Sequence, residues 1–376
     1  MKLGYIDSIR GIAILLVLFV HTANCTNTGW IPKSVTAYGQ MGVQLFFIAS
    51  AFTLCLSSDR SGCQEKKTIK YIIRRYFRIA PMYYFGIGLY FLVSLLQRSN
   101  KPTLGWLDEN YNFINILSNL FLVHGFVPSA NNSIVPGGWS IGTEFAFYLI
   151  FPFLYPILKK IMNGSLYRAC LISVASLGVS LLADFIMIKS GHEGVQNGNF
   201  SYFNILNQIP IFITGIGYYE TQHHFDCQKR SFAKPLFLAL TALILVIWKM
   251  PEFQSKFVLL PWLSGVSYVF LMEIFKRSAR MNPKMLRNIG EHSYSMYIFN
   301  FIFACIGTGH AHMKLISIMG YEWSFILMFL MASLLSWTCS LITVPLIEKN
   351  FINLGKKIIQ KLSASKGIVK VTRLAQ

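Results

Sequence analysis

"MKLGYIDSIRGIAILLVLFVH", residues 1–21, opens the chain. Every residue from Gly11 to Val20 is glycine or apolar, and His21 closes the run. A helix that crosses a bilayer needs about 20 mostly apolar residues, and the stretch 10–29 is expected to supply one. Arg10 and His21 stand eleven residues apart. At 3.6 residues per turn that is about three turns, so both fall on one helix face, roughly 16 Å apart along the axis. Arg10 is then expected at the inner headgroups and His21 just past mid-membrane. An ionisable group at that depth is costly and marks a functional candidate. A purely structural histidine bonded to a neighbouring helix is the plain alternative.

The rest of the chain agrees with a membrane protein. Of 376 residues, 54% are hydrophobic and 13% charged, with a mean hydropathy of +0.48; soluble domains carry roughly 25% charged residues. Apolar stretches recur at about 41–57, 80–97, 140–158, 169–188, 203–220, 235–250, 257–275, 289–309 and 323–345. With the first run they make ten predicted spans in an all-α bundle, since these runs lack strand alternation. The first run is expected to be a retained span and not a cleaved signal, because no A-x-A site follows. A further piece, 113–128 ("FINILSNLFLVHGFVP"), is ambiguous. If it does not cross, most of the 34 Lys and Arg residues fall on one side, which the positive-inside bias assigns to the cytoplasm. It is therefore read as a re-entrant or interfacial element, with both termini cytoplasmic. Residues 1–350 form one transmembrane domain, and 351–376 a basic cytoplasmic tail.

The net charge of +19 sits in short clusters between apolar runs. That distribution suits anionic lipid, and no nucleic-acid motif accompanies it. The seven cysteines, Cys25, Cys55, Cys63, Cys170, Cys227, Cys305 and Cys339, are irregularly spaced. They suggest neither a disulfide framework nor a zinc site, and no metal is expected.

Three further features could carry chemistry. In "KKTIKYIIRRYFRIAPMYYF", Arg74, Arg75 and Arg78 stand at a membrane entrance, a fork suited to phosphate oxygens or simply to headgroups. In "GGWSIGTEFAFYLIFPFLYP", Ser140 is a candidate helix cap, and Glu144 lies near the outer helix end at a depth His21 could approach. A carboxylate there would orient the imidazole. Asn300 and Glu348 are candidates for a polar interior, His124 for a gate or headgroup contact, and Asp184 for an interfacial contact.

Taken in order, these blocks resemble the acyltransferase-3 family of membrane proteins over nearly the whole chain. "IDSIRGIAILLVLFVH" carries that family's Arg-to-His spacing, and "RRYFRIAPMYY" its R-x-x-R at Arg75 and Arg78. "WSIGTEFAFYLIFP" matches at Trp139, Ser140, Glu144, Phe147, Tyr148 and Pro152, while "GVQLFFIASAFTL", "IGEHSYSMYIFN" and "PLIEKNF" fill the remaining segments. The chain departs from the family pattern at Gln44, Ala51, Asn300 and Asn350. The resemblance implies transfer of an acyl group, usually acetyl, from cytoplasmic acyl-CoA to a carbohydrate hydroxyl, lipid-linked or at the cell surface. His21 would be catalytic, as general base or transient acyl carrier, and Arg10 would support it, with Arg75, Arg78 and Arg74 on the donor's phosphates. Glu144 becomes the expected companion of His21, and Trp139, Ser140, Tyr148 and Asn300 the lining of the acceptor path. Acetyl-CoA is a co-substrate, and no tightly bound cofactor is implied. A bacterial inner membrane is the expected location. The rivals are a transporter with His21 and Glu144 as a proton relay, and a degenerate sensor or scaffold.

Overall fold

The computed structural model describes residues 3–60, 67–98, 110–227, 232–306 and 309–373. Cys63, Lys66, Lys229, Arg230 and the last three residues of the basic tail lie outside them. The chain is 85% helical, and no strand occurs among the described residues. Among the described residues seven helical stretches are long and apolar enough to cross a membrane, and Ser293–Ile306 is a shorter apolar helix. Leu171, Val174, Leu182, Leu334 and Ile342 are each more than half exposed. Such a surface is a liability in water and an ordinary contact in lipid. The chain is an all-α, multi-pass membrane protein.

Helix α1 (Gly4–Cys25) is the hub. Its run is apolar all round, so it is stable only where neighbours cover every side. It packs against α2 (Lys33–Tyr38), α3 (Gly42–Arg60), α11 (Lys256–Arg277), α12 (Lys284–Glu291), α13 (Ser293–Phe301) and α14 (Gly309–Thr343). The other elements of the bundle, in chain order, are α4 (Lys67–Arg98), α5 (Phe113–Leu120), α6 (Gly138–Met162), α7 (Leu166–Lys189), α8 (Phe200–Phe203), α9 (Ile205–Asp226) and α10 (Ala233–Lys249). The last helix, α15 (Asn350–Arg373), packs along α4. Backbones meet closely at α1. A Cβ on Gly290 would lie 1.7 Å from the carbonyl oxygen of Asp7, and one on Gly42 would lie 2.5 Å from that of Ala13. Only glycine fits at such distances, the small-residue packing typical of membrane helices.

Most predicted stretches coincide with helices, but α4 begins thirteen residues before the predicted 80. Arg74, Arg75 and Arg78 therefore lie on a helix, not in a loop. Residues 309–343 contain a break at Gly320 (φ 80°, ψ 176°), so the stretch predicted from 323 is the part beyond that break. The ambiguous piece forms α5, eight residues or about 12 Å of helix, and then a 3-10 turn at His124–Phe126.

One expectation is corrected: Cys25 and Cys305 are joined by a disulfide, across 280 residues of sequence. Asp184 is 1% exposed and accepts hydrogen bonds from Val195 N (2.6 Å) and Ser255 Oγ (2.5 Å), tying two connections together. His124 is fully buried, away from any headgroup. Its Nε2 lies 3.0 Å from the Gly138 carbonyl and 3.1 Å from Tyr83 Oη, whose proton goes to Asn119. Nε2 therefore carries the ring proton. The imidazole joins the 3-10 turn to the start of α6, stacked on Tyr83 with 5.1 Å between ring centroids.

Two measurements check this packing. Gly290→Ala forces α1 and α12 apart, so the variant should show loss of the monodisperse peak in detergent gel filtration, or a melting temperature lower by several degrees. Burial pushes His124 down to about 4, against the pull of the Gly138 and Ser118 carbonyls; an unperturbed histidine titrates near 6.5. The folded value lies below the unfolded one, so its contribution is complete above about pH 6.5 and is lost as pH falls toward 4. The melting temperature should drop over that window, and His124→Asn should flatten the drop.

Candidate active site

At the end of the bundle where α1 begins lies a cavity of about 550 Å³. Arg10, Arg74, Arg75, Arg78, Lys349 and Lys356 line it, against the carboxylates of Asp7, Glu291 and Glu348. The excess is positive, which suits a polyanion. Arg75 and Arg78 are one turn apart on α4 and share a face. Arg10 Nη1 lies 3.7 Å from Asp7 Oδ1, and Nη2 donates to Thr53 Oγ1 at 3.3 Å. The Arg75 guanidinium stands over the rings of Tyr148 (5.3 Å) and Tyr71 (5.6 Å). Glu348 accepts from Ser295 Oγ at 2.5 Å, within a π-helical turn at Val344–Lys349. Such turns are frequent at functional sites.

Arg10, Arg75, Arg78, Ser293 and Tyr294 also line a second cavity, about 80 Å³, in the bundle's centre. Its remaining wall includes Phe46, Ser50, Ser140, Glu144, Tyr148 and Tyr297. Glu144 Oε1 accepts from Ser50 Oγ (2.6 Å) and from Tyr148 Oη (2.5 Å). Tyr148 is one turn along α6 from Glu144, which brings the two oxygens together. Ser140 Oγ lies 2.8 Å from Tyr297 Oη, and both are within 3.1 Å of the Gly137 carbonyl. Ser140 is thus inside the helix; Gly137, at φ 79°, precedes its first turn, and the capping role expected of Ser140 is absent.

His21 stands apart from this cavity. Its ring lies against Phe301, with 4.0 Å between centroids, and Phe301 in turn abuts Gly137. Among the described residues no hydrogen bond joins His21 to Glu144. The expected carboxylate–imidazole pair is therefore not formed: Glu144 turns toward α3, where Ser50 satisfies it. Two other expected lining residues belong to the packed interior. Trp139 stacks on Phe203 (4.5 Å between centroids), and Asn300 donates to the Tyr297 carbonyl. Gln44, one of the departures, bonds Gln208 (3.1 Å) and Tyr202 (3.2 Å), fastening α3 to α9. Ser50, Thr53 and Tyr297 were not singled out from the sequence. Ser50 and Thr53 are isolated hydroxyls in "FFIASAFTL", one turn apart, a signal that was there to find.

The acyltransferase-domain family profile matches residues 3–345. The chain belongs to the acyltransferase-3 family. It is similar to an acyltransferase, MdmB, of Streptomyces mycarofaciens, 28% identical over 43% of this chain and 41% of the relative. It is also similar to the exopolysaccharide production protein ExoZ of Rhizobium meliloti, 29% identical over 30% of this chain and 33% of the relative. The chain thus aligns with well under two thirds of either relative's length. No solved structure matches it significantly. Two cavities that share Arg10, Arg75, Arg78, Ser293 and Tyr294 in their walls form the candidate active site.

Proposed function

We propose that the protein moves an acyl group, in the simplest case acetyl, from cytoplasmic acyl-CoA to a hydroxyl of a carbohydrate on the far side of a bacterial inner membrane. The observation that carries this reading is the basic cavity that shares Arg10, Arg75 and Arg78 with the smaller cavity at the bundle's centre. Coenzyme A is a long molecule with phosphates at one end and a thioester at the other. Arg74, Arg75 and Arg78 hold the phosphates, and Arg10 draws the chain inward along α1. Positive-inside bias puts this mouth in the cytoplasm. The carbohydrate acceptor is supported by the similarity to an exopolysaccharide production protein.

The chemistry assigned to His21 follows from its type and place. Its neutral imidazole takes the proton of the acceptor hydroxyl as the oxygen attacks the thioester carbonyl. The C–S bond breaks, and the proton passes to the departing sulfur, leaving the ester and free CoA. Phe301 must rotate away for the thioester to arrive. Glu144 is a positioning residue in this scheme. It offsets part of the charge of the three arginines and holds Tyr148 and Ser50 along the donor's path. The separation of His21 from Glu144 leaves a proton relay between them without a bond to run through.

Release of free CoA from acetyl-CoA, in reconstituted vesicles with glycan extract, tests this reading. His21→Ala should lower the rate by about 10²–10⁴-fold, with the protein still inserted. Arg75→Ala and Arg78→Ala should chiefly raise KM for acetyl-CoA, and Arg75→Lys should rescue only in part, since a lysine cannot bind in two-pronged fashion. Wild-type rates in His21→Ala would remove histidine from the reaction.

A further inference from the structure

At the end of α1 opposite the basic mouth lies a third cavity, of about 1090 Å³. Asn24, Asn27, Thr36, Lys33, Trp248 and Tyr321 contribute to its lining, and Cys25 of the Cys25–Cys305 disulfide forms part of its wall. This cavity shares no lining residue with the other two. We infer that it is the acceptor's vestibule, a carbohydrate-binding site entered from the outer face; the inference rests on the acyl-transfer reading given above.

Helix geometry connects the vestibule to His21. Asn24 and Cys25 follow His21 by three and four residues, so all three lie on one face of α1, within about 6 Å along the axis. Cys305 Sγ is 3.7 Å from the His21 carbonyl oxygen. The vestibule wall therefore comes to within one helical turn of the imidazole, and the disulfide ties that turn of α1 to the chain following α13. An accessible disulfide belongs to an oxidising compartment, which agrees with the outer face.

The lining has the chemistry of a sugar site. Asparagine amides and threonine hydroxyls match vicinal hydroxyls, and Trp248 and Tyr321 offer aromatic surface for the apolar face of a pyranose. His312 also borders the space but is committed elsewhere. Its Nε2 accepts from the Asn27 backbone N–H at 2.9 Å, so its one ring proton sits on Nδ1 and goes to Ser324 Oγ at 2.8 Å. It holds the loop at Asn27 and is not a second base. Among the described residues of the lining Lys33 is the one fixed charge, and no carboxylate joins it. The vestibule therefore suits a neutral or acidic sugar over a cationic amino sugar.

The test uses the full chain in intact cells. Ile316 also lines the vestibule. Ile316→Cys is labelled from outside with a bulky, membrane-impermeant maleimide. The acyl content of newly made surface glycan is then read by mass spectrometry, and CoA binding by thermal shift of the purified, labelled protein. Labelling should lower glycan acylation at least tenfold against the same variant unlabelled, with the CoA-induced shift retained. Trp248→Ala should also lower acylation, and Trp248→Phe should restore most of it, a rescue that a folding defect would not show. Full acylation after complete labelling, together with a silent Trp248→Ala, would overturn the vestibule while leaving acyl transfer intact. Absence of glycan acylation by the wild type would instead defeat the acyl-transfer reading, and the vestibule with it.

Discussion

Close backbone contact along α1 is the constraint from which the rest of the structure follows. Gly290 presses on the Asp7 carbonyl on one side, and Gly42 presses on the Ala13 carbonyl on another. In lipid there is no hydrophobic force between helices, so close packing of small residues has to fix the arrangement. A helix held in this way cannot slide or rotate without displacing α3 and α12. Whatever it carries is fixed in depth: Arg10 at one level, His21 about three turns further, and Cys25 one turn beyond that.

That fixed depth makes a single helix border two different spaces. Near its start α1 contributes Arg10 to a cavity rich in guanidinium groups. At its end it contributes Asn24 and Cys25 to a polar, nearly uncharged one. The change in character along 22 residues follows the chemistry of the proposed partners, a polyanionic thioester on one side and a hydroxyl-rich sugar on the other. Phe301 lies against the imidazole and abuts Gly137, whose carbonyl accepts from Ser140 and Tyr297 in the wall of the central cavity.

Much of this fold was legible from hydropathy alone, because each apolar run must be satisfied by a helix whatever its neighbours are. The extension of α4 was not, since "KKTIKYIIRRYF" is too charged to read as a span; it is helical because α15 covers it. The Cys25–Cys305 pair was invisible for a related reason. Two cysteines 280 residues apart meet only through the path of the whole bundle. Within the site, residue types were legible and azimuths were not. Arg10, Arg75, Arg78, Ser140, Glu144 and Tyr148 do converge on one cavity, as their clustering in short motifs suggested. The partner of Glu144 depended on which face of α3 meets α6, and Ser50 took the place expected of His21. Trp139 and Asn300 belong to the same motifs, but the rotation of their helices points them into packing.

In the proposed reaction a donor entering by the arginine-lined mouth brings its acyl carbon within reach of an imidazole fixed on α1. Bromoacetyl-CoA, supplied on the cytoplasmic side of sealed vesicles, tests it directly: the bromide leaves when a nucleophile within reach attacks the neighbouring carbon. Peptide mass spectrometry should find the adduct on His21, competed by acetyl-CoA and weakened in Arg75→Ala. An adduct confined to another side chain, or alkylation of His21 that acetyl-CoA does not slow, would contradict it.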